Sequence, residues 1–335
     1  MKTTKRFVGV MCMAALLALG STSCKKDNGT TSFSFALPTV EGFQVDDEKA
    51  YIDIADGSKM KWWEGDQMMI YSVDATNTVP VTAVYTADEG CQGSTLAYFR
   101  GDLIPQGSYG YFAFYPYEKA GEVVEGNRAY FNVGPTQNYN PELNFAGTSM
   151  AGRAFMDPKC VVAASTCQAI NGTATVNLKH IFGYANVKIK DLNNTGKKVK
   201  KVTITDPNVN LTGEMSIVIP EITDARLNAL QTMGTNYYNT GNEDAYMATL
   251  TSTLQEMGYE ATGNGHSVTL DCSNADITLT NTNKFFIIPL RPGCLLKNFT
   301  ITVTYDNDQT RVFEFGADKH NIIRPGYFSN LQCIW

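Results

Sequence analysis

Phe299, Ile301, Val303 and Tyr305 alternate with Thr300, Thr302 and Thr304. A period of two places the apolar set on one face of a strand and the threonines on the other. Asp306-Asn307-Asp308 is turn chemistry and Arg311 to Phe315 can return alongside, so the stretch predicts a hairpin. Short runs of the same kind recur along the chain. They are Phe33 to Phe35, Gln67 to Ser72, Val79 to Tyr85, Leu96 to Phe99, Tyr109 to Tyr115, Tyr184 to Ile189 and Val199 to Thr205. The last two flank Asn193-Asn194-Thr195-Gly196, a second turn. Two stretches switch to helical spacing. Thr223 can cap a helix over Asp224 to Met233 that Gly234 stops, and Glu243 to Met257 carries Tyr246, Leu250, Leu254 and Met257 before Gly258.

This pattern predicts an all-β protein of two mostly antiparallel β-sandwich domains. The turn-rich Gln168 to Thr175 is the best boundary, giving one domain over 32–174 and another over 175–335. The helical residues 223–258 form a small insertion in the second domain.

The first residues carry an address. Lys2, Lys5 and Arg6 precede a short apolar stretch from Phe7 to Gly20, then Ser21-Thr22-Ser23 and Cys24. This reads as a secretory signal over 1–23. A cysteine directly after small residues is similar to the lipobox of bacterial lipoproteins, with Leu19 two positions earlier than the usual leucine. Cys24 is then the lipid attachment site, and 24–31 is a hydrophilic tether. Two or three acyl chains make a lasting anchor, each methylene contributing ~0.8 kcal/mol.

Composition narrows the functions. The 335 residues are 43% hydrophobic and 18% charged, enough for a packed core, with a net charge of -6. Loss of 1–23 removes three basic residues and no acidic one, which deepens the acidic balance and argues against a nucleic-acid partner. Three histidines leave little room for metal or histidine chemistry. Six cysteines follow Cys24, and Cys160 with Cys167 is the only close pair, a possible disulfide in an exported chain. The alternative is that the cysteines are buried small apolar residues.

Motifs that spell chemistry lack its partners. Gly147-Thr148-Ser149-Met150-Ala151 matches the serine motif of subtilisin-like proteases, but no histidine precedes Ser149, as that family's order requires. Arg100-Gly101-Asp102 spells an integrin-binding tripeptide at a strand end. Lys197-Lys198-Val199-Lys200-Lys201 reads as a solvated edge strand. Trp62-Trp63 is either a sugar-stacking platform or a half-buried strand entry. No enzyme, cofactor or metal site is predicted.

Several segments together resemble the fimbrillin family, the lipoprotein pilins of Gram-negative diderm anaerobes. They are Trp63-Glu64-Gly65-Asp66 with Met69-Ile70-Tyr71, Tyr111 to Pro116, Leu178-Lys179-His180 leading into Ala185 to Ile189, and Ile323-Arg324-Pro325-Gly326-Tyr327. The resemblance implies transthyretin-like topology for both sandwiches and a fimbrial subunit displayed at the cell outer membrane. It implies other fimbrial subunits, and host or bacterial surface ligands, as partners, and no enzymatic activity. In polymerising members an arginine-specific protease removes the N-terminal strand and a neighbour's strand fills the groove. The first arginine after Cys24 here is Arg100, deep in the first domain. That departure points to an anchor, tip or accessory subunit. The alternative function is a non-assembling surface lipoprotein that binds glycans through Trp62 and Trp63. His180 reads as a structural histidine.

Overall fold

In the computed structural model, residues 31–36, 51–53, 59–62, 65–73, 81–91, 94, 96–101, 110–115, 128–139, 154–155, 163–168, 173–230, 242–316 and 321–335 are described. The alternating runs become strands. Phe299, Ile301, Val303 and Tyr305 are buried on one face of Phe299–Tyr305, and the threonines between them are half-buried on the other. Asp308 takes a φ of 59° to close the hairpin onto Thr310–Phe315. The chain is mostly β-sheet, as the pattern predicts.

The first large sheet has eight strands. Its order is Thr173–Asn177, Thr31–Ala36, Leu96–Gly101, Val81–Ala87, Gln67–Val73, Gly110–Tyr115, Ala163–Gln168 and Lys179–His180. Neighbours are antiparallel except Thr31–Ala36 with Thr173–Asn177, which run parallel. The two outermost strands are one stretch of chain, interrupted at buried Leu178. Residues 173–180 therefore hold both edges of the sheet and close it on itself, which removes the unpaired edges that a flat sheet would expose.

Two further sheets face each other. One has the order Ala154–Phe155, Lys284–Leu290, Gly183–Lys190, Phe328–Ile334; the other Thr310–Phe315, Phe299–Tyr305, Val199–Thr205, Ser267–Asp271, Thr136–Asn138. Between them lies a core that includes Val187, Ile189, Phe286, Ile288 and Leu331 from the first and Val202, Ile204, Leu270, Ile301 and Val303 from the second. The pairing crosses residue 175 repeatedly. Thr136–Asn138 and Ala154–Phe155 lie in these two sheets, and Arg128–Val133 pairs with Gly213–Val218. A cut at 175 does not separate the sheets.

The α-helical residues that are described lie within 223–258, as the spacing predicts, just after a single 3-10 turn, Ile219–Glu221. The Arg226 N–H donates to Thr223 Oγ1 at 3.2 Å, and residues 224–230 are helical. Helix Glu243–Glu256 starts with the Ala245 N–H donating to Asn242 Oδ1 at 3.0 Å, a side-chain cap. Gly258, at a φ of 62°, ends it. The buried residues Leu227, Leu230, Tyr246, Leu250, Leu254 and Met257 share a second core with Met215, Ile217 and Phe131, and with Met69, Tyr71, Phe112 and Phe114 of the eight-stranded sheet. The insertion therefore fastens the first sheet to the rest of the molecule.

The lysine run departs from expectation. Val199–Thr205 is an interior strand, paired with Ser267–Asp271 on one side and Phe299–Tyr305 on the other. Its lysines do not protect an edge. Lys198 meets Asp276 at 2.9 Å, Lys200 meets Asp308 at 2.8 Å and Lys201 meets Asp271 at 3.4 Å. Such exposed pairs contribute little stability, but they pair three of the four lysines with carboxylates.

Candidate functional site

The place of the first strand sets what the molecule can assemble with. Thr31–Ala36 lies between Leu96–Gly101 and Thr173–Asn177. In register, Phe33 stands opposite Phe99 and Ala174, and Phe35 opposite Ala97 and Val176. Ala97 and Phe99 are buried, whereas Leu96 and Tyr98 between them are 46% and 58% exposed. Taken out, this one strand would leave unpaired N–H and C=O groups along both neighbours and uncover Ala97 and Phe99. A slot of that kind accepts an extended strand through main-chain hydrogen bonds and alternate side-chain positions.

The far side of the slot leads directly to a buried junction. Residues 173–177 run through Leu178 to His180, Gly183 and Tyr184. There the segment Ile323 to Tyr327 docks. The Gly326 N–H donates to Phe182 O at 2.9 Å, and the Tyr184 N–H to Tyr327 O at 3.0 Å. A Cβ on Gly183 would come within 2.3 Å of Arg324 O, so only glycine permits this approach. Arg324 is buried with its guanidinium 4.4 Å from the Tyr327 ring centre. Two motifs far apart in sequence thus form one joint.

His180 is a structural histidine here. It is fully buried, and its Nδ1 lies 2.6 Å from the Tyr184 hydroxyl. Burial lowers its pKa from 6.5 to about 3, so the ring stays neutral. The unfolded chain takes up this proton near pH 6.5 and the folded one does not. Stability from this group is therefore intact above pH 6.5 and falls as pH drops from there toward about 3. By pH 5 the loss should reach about 2 kcal/mol. Urea unfolding at pH 7.5 and pH 5 should show a smaller drop for His180→Gln than for the parent by that amount; equal drops would remove the assignment.

The other singled-out residues are not brought into one site. Trp62 is fully buried, edge-on to Phe99 at 4.7 Å and to Tyr115 at 5.2 Å between ring centres. It is a strand entry and offers no face to a sugar; Trp63 lies outside the described residues. Arg100, next to last in its strand, holds Nε 2.9 Å from Asp88 Oδ2, and Asp102 lies outside the described residues. So do Cys24, Cys160 and Ser149. Cys167 lies in Ala163–Gln168, in register with Tyr111. Cys91, Cys272, Cys294 and Cys333 are buried, the last three as free thiols; burial pushes the Cys294 thiol up to about 11 and that of Cys333 to about 12. These four pack as small apolar residues, the bland alternative. Among the described residues no three His, Cys, Asp or Glu side chains cluster as metal ligands, and no helix is long and apolar enough to cross a membrane.

No protein-family model matches the sequence and no curated protein matches it. Solved structures do. The chain is similar to a candidate cell adhesion protein of Bacteroides uniformis, at 12% identity over 90% of this chain and 93% of that one, with a TM-score of 0.47. A candidate cell adhesion protein of Bacteroides ovatus is 11% identical, with 90% and 91% covered and a TM-score of 0.45. The tip fimbrial protein Mfa3 of Porphyromonas gingivalis, in a C-terminally truncated form, is 9% identical, with 85% and 81% covered and a TM-score of 0.32. The first two are described as candidate cell adhesion proteins and the third as a fimbrial tip protein.

Proposed function

We propose that this protein is a non-enzymatic structural or adhesive subunit of a cell-surface fimbrium, in an anchor, tip or accessory position. Acyl chains on Cys24 hold it at the outer membrane, and strand complementation joins it to other subunits. We take its two sandwiches to have the transthyretin-like topology of the fimbrillins. Export by such a route also puts Cys160 and Cys167 where they can oxidise to a disulfide.

The observation that carries this reading is the insertion of Thr31–Ala36, just after the tether, between two strands of one sheet. A strand so placed can be exchanged without refolding the sheet around it. The order of the fimbrillin-like motifs supports the same family. The terminal or accessory position rests on Arg100, the first arginine after Cys24. Arg100 stands opposite Ser32 within the pair that holds the first strand, so cleavage there would cut the sheet it is meant to open. The burial of Trp62 takes one of the two tryptophans from the glycan-binding alternative.

Limited surface proteolysis of cells, followed by peptide quantification, tests the reading. Peptides spanning Asp27 to Lys49 should appear in the same yield as peptides from Ser267 to Tyr305. Cys24→Ser should abolish acyl labelling and release the protein from the membrane fraction. Missing N-terminal peptides alongside ladders of linked subunits would make it a repeating subunit instead. Unchanged labelling of Cys24→Ser would remove the anchor.

A further inference from the structure

Two cations at one end of the facing sheets carry no counter-charge. Lys198, Lys200 and Lys201 each meet an aspartate, and Arg100, Arg128 and Arg226 each meet a carboxylate. Lys197, the fourth lysine of its run, and Arg311 differ. Among the described residues no carboxylate lies within ion-pair distance of either. Both sit over aromatic rings instead. Lys197 Nζ is 4.6 Å from the ring centre of Tyr305, and the Arg311 guanidinium carbon is 5.1 Å from that of Trp335 and 5.5 Å from that of Phe313.

The rings join these cations into one row. The Trp335 ring centre lies 6.1 Å from that of Tyr305 and 5.6 Å from that of Phe313. Main-chain bonds hold the indole there. The Trp335 N–H donates to Lys190 O at 3.3 Å, and the Leu192 N–H donates to Trp335 O at 2.8 Å. Tyr305 is buried, Lys197, Phe313 and Trp335 are half-buried, and Arg311 is exposed. A guanidinium resting on flat rings loses little freedom on binding, and its planar fork of N–H groups suits a carboxylate.

The surroundings leave that charge available. Burial pushes the Tyr305 hydroxyl up to about 12, so it stays neutral. Asp191 is the carboxylate whose field reaches both Lys197 and Tyr305. Its oxygens already accept from the Asn193 N–H at 3.0 Å, the Thr195 N–H at 2.7 Å and the Thr195 hydroxyl at 2.6 Å. The turns that lead into Lys197 and out of Tyr305 add donors. Exposed Asn194 accepts through Oδ1 from the Asn281 N–H at 2.8 Å, and exposed Asn307 through Oδ1 from the Gln309 N–H at 3.1 Å. Each keeps its amide NH2 to donate outward. Ammonium, guanidinium and amide donors together suit a ligand rich in acceptor oxygens.

We infer that this row is a binding site for an acidic saccharide, with a sugar carboxylate in the Arg311 fork and further sugar oxygens on Lys197 and the turn amides. The net charge of -6 repels dense polyanions, so an oligosaccharide with few acidic groups fits two cations better than a nucleic acid does. The site is separate from Trp62 and from the slot of the first strand. It does not depend on the fimbrial reading, since it uses only the unpaired cations, the rings behind them and the donors beside them.

Calorimetric titration of the mature chain with tetragalacturonate, with its methyl ester and with a hexaglutamate peptide tests it. Tetragalacturonate should bind at low salt with a Kd of about 1 mM or tighter. Binding should weaken as salt rises, because exposed charges are screened over about 10 Å at 0.1 M. The methyl ester keeps the hydroxyls but not the charge and should bind about tenfold more weakly or worse. Arg311→Lys keeps the charge but not the fork and should cost about tenfold, and Lys197→Ala about threefold or more. Circular dichroism should show both variants folded, since neither side chain is in a core. Absence of heat with tetragalacturonate at about ten times that Kd overturns the inference. So does equal binding of the ester, and so does binding that both variants leave unchanged, since the saccharide then sits elsewhere. Hexaglutamate binding as tightly as tetragalacturonate would make this a site for acidic peptides and overturn the saccharide.

Discussion

Replacing Trp62 with alanine should destabilise the protein by about 3–5 kcal/mol. The side chain is fully buried, and two aromatic rings meet it edge-on, Phe99 from the strand next to Thr31–Ala36 and Tyr115 from the end of Gly110–Tyr115. The Trp62 main-chain N–H donates to Ser94 O at 2.7 Å, which fixes the backbone there and keeps it from collapsing readily into the vacated space. A void between Phe99 and Tyr115 loses the transfer energy of an indole and the edge-to-face contacts as well. Against a total stability of about 5–15 kcal/mol for a folded domain, that is a large fraction. Urea unfolding of the mature chain followed by circular dichroism should show the midpoint moving sharply down, and Trp62→Phe should lose much less. A sugar platform behaves in the opposite way: alanine there leaves the midpoint unmoved. An unmoved midpoint would mean that Trp62 does not fill the sheet's interior.

What a period of two can reveal, it revealed here. Phe299 to Tyr305, Val199 to Thr205 and Tyr184 to Ile189 all became strands with the expected turns, and Tyr246, Leu250, Leu254 and Met257 all became one buried helix face. Period says which residues face inward but not which strand lies alongside. Lys197 to Lys201 therefore read as an edge although Val199–Thr205 is paired on both sides. For the same reason a boundary at 175 looked natural, while Arg128–Val133 pairs with Gly213–Val218 across it. Strand partners are chosen by non-local packing, such as Phe131 against Met215 in the shared core, and one chain's local pattern carries no record of it. The joint of His180, Gly183 and Tyr184 with Arg324 and Tyr327 shows the same limit. Both motifs stand out in the sequence, yet only the parallel pairing of Gly183–Lys190 with Phe328–Ile334 brings them together.

Deleting residues 24–37 should turn a monomer into a chain that self-associates. Thr31–Ala36 pairs along its whole length with Leu96–Gly101 and from Ser32 to Ala36 with Thr173–Asn177, so its removal exposes two strand edges at once. It also uncovers Ala97 and Phe99. A phenylalanine returned from core to water costs about 1.5–3 kcal/mol, and Phe33 and Phe35 both stand in register with these buried positions. The truncated chain therefore carries an apolar trough with free hydrogen-bonding groups on each wall, the combination that recruits strands from other molecules. Light scattering on a sizing column should show oligomers at micromolar concentration where the parent is monomeric, and the unfolding midpoint should fall. A synthetic peptide of residues 29–39, added in excess, should restore both the monomer and the midpoint. The same peptide with Phe33 and Phe35 replaced by Asp should restore neither, because main-chain pairing alone does not refill the trough. A truncated chain that stays monomeric at an unchanged midpoint would make the first strand an ornament on a closed sheet, and assembly by exchange of that strand would fall with it.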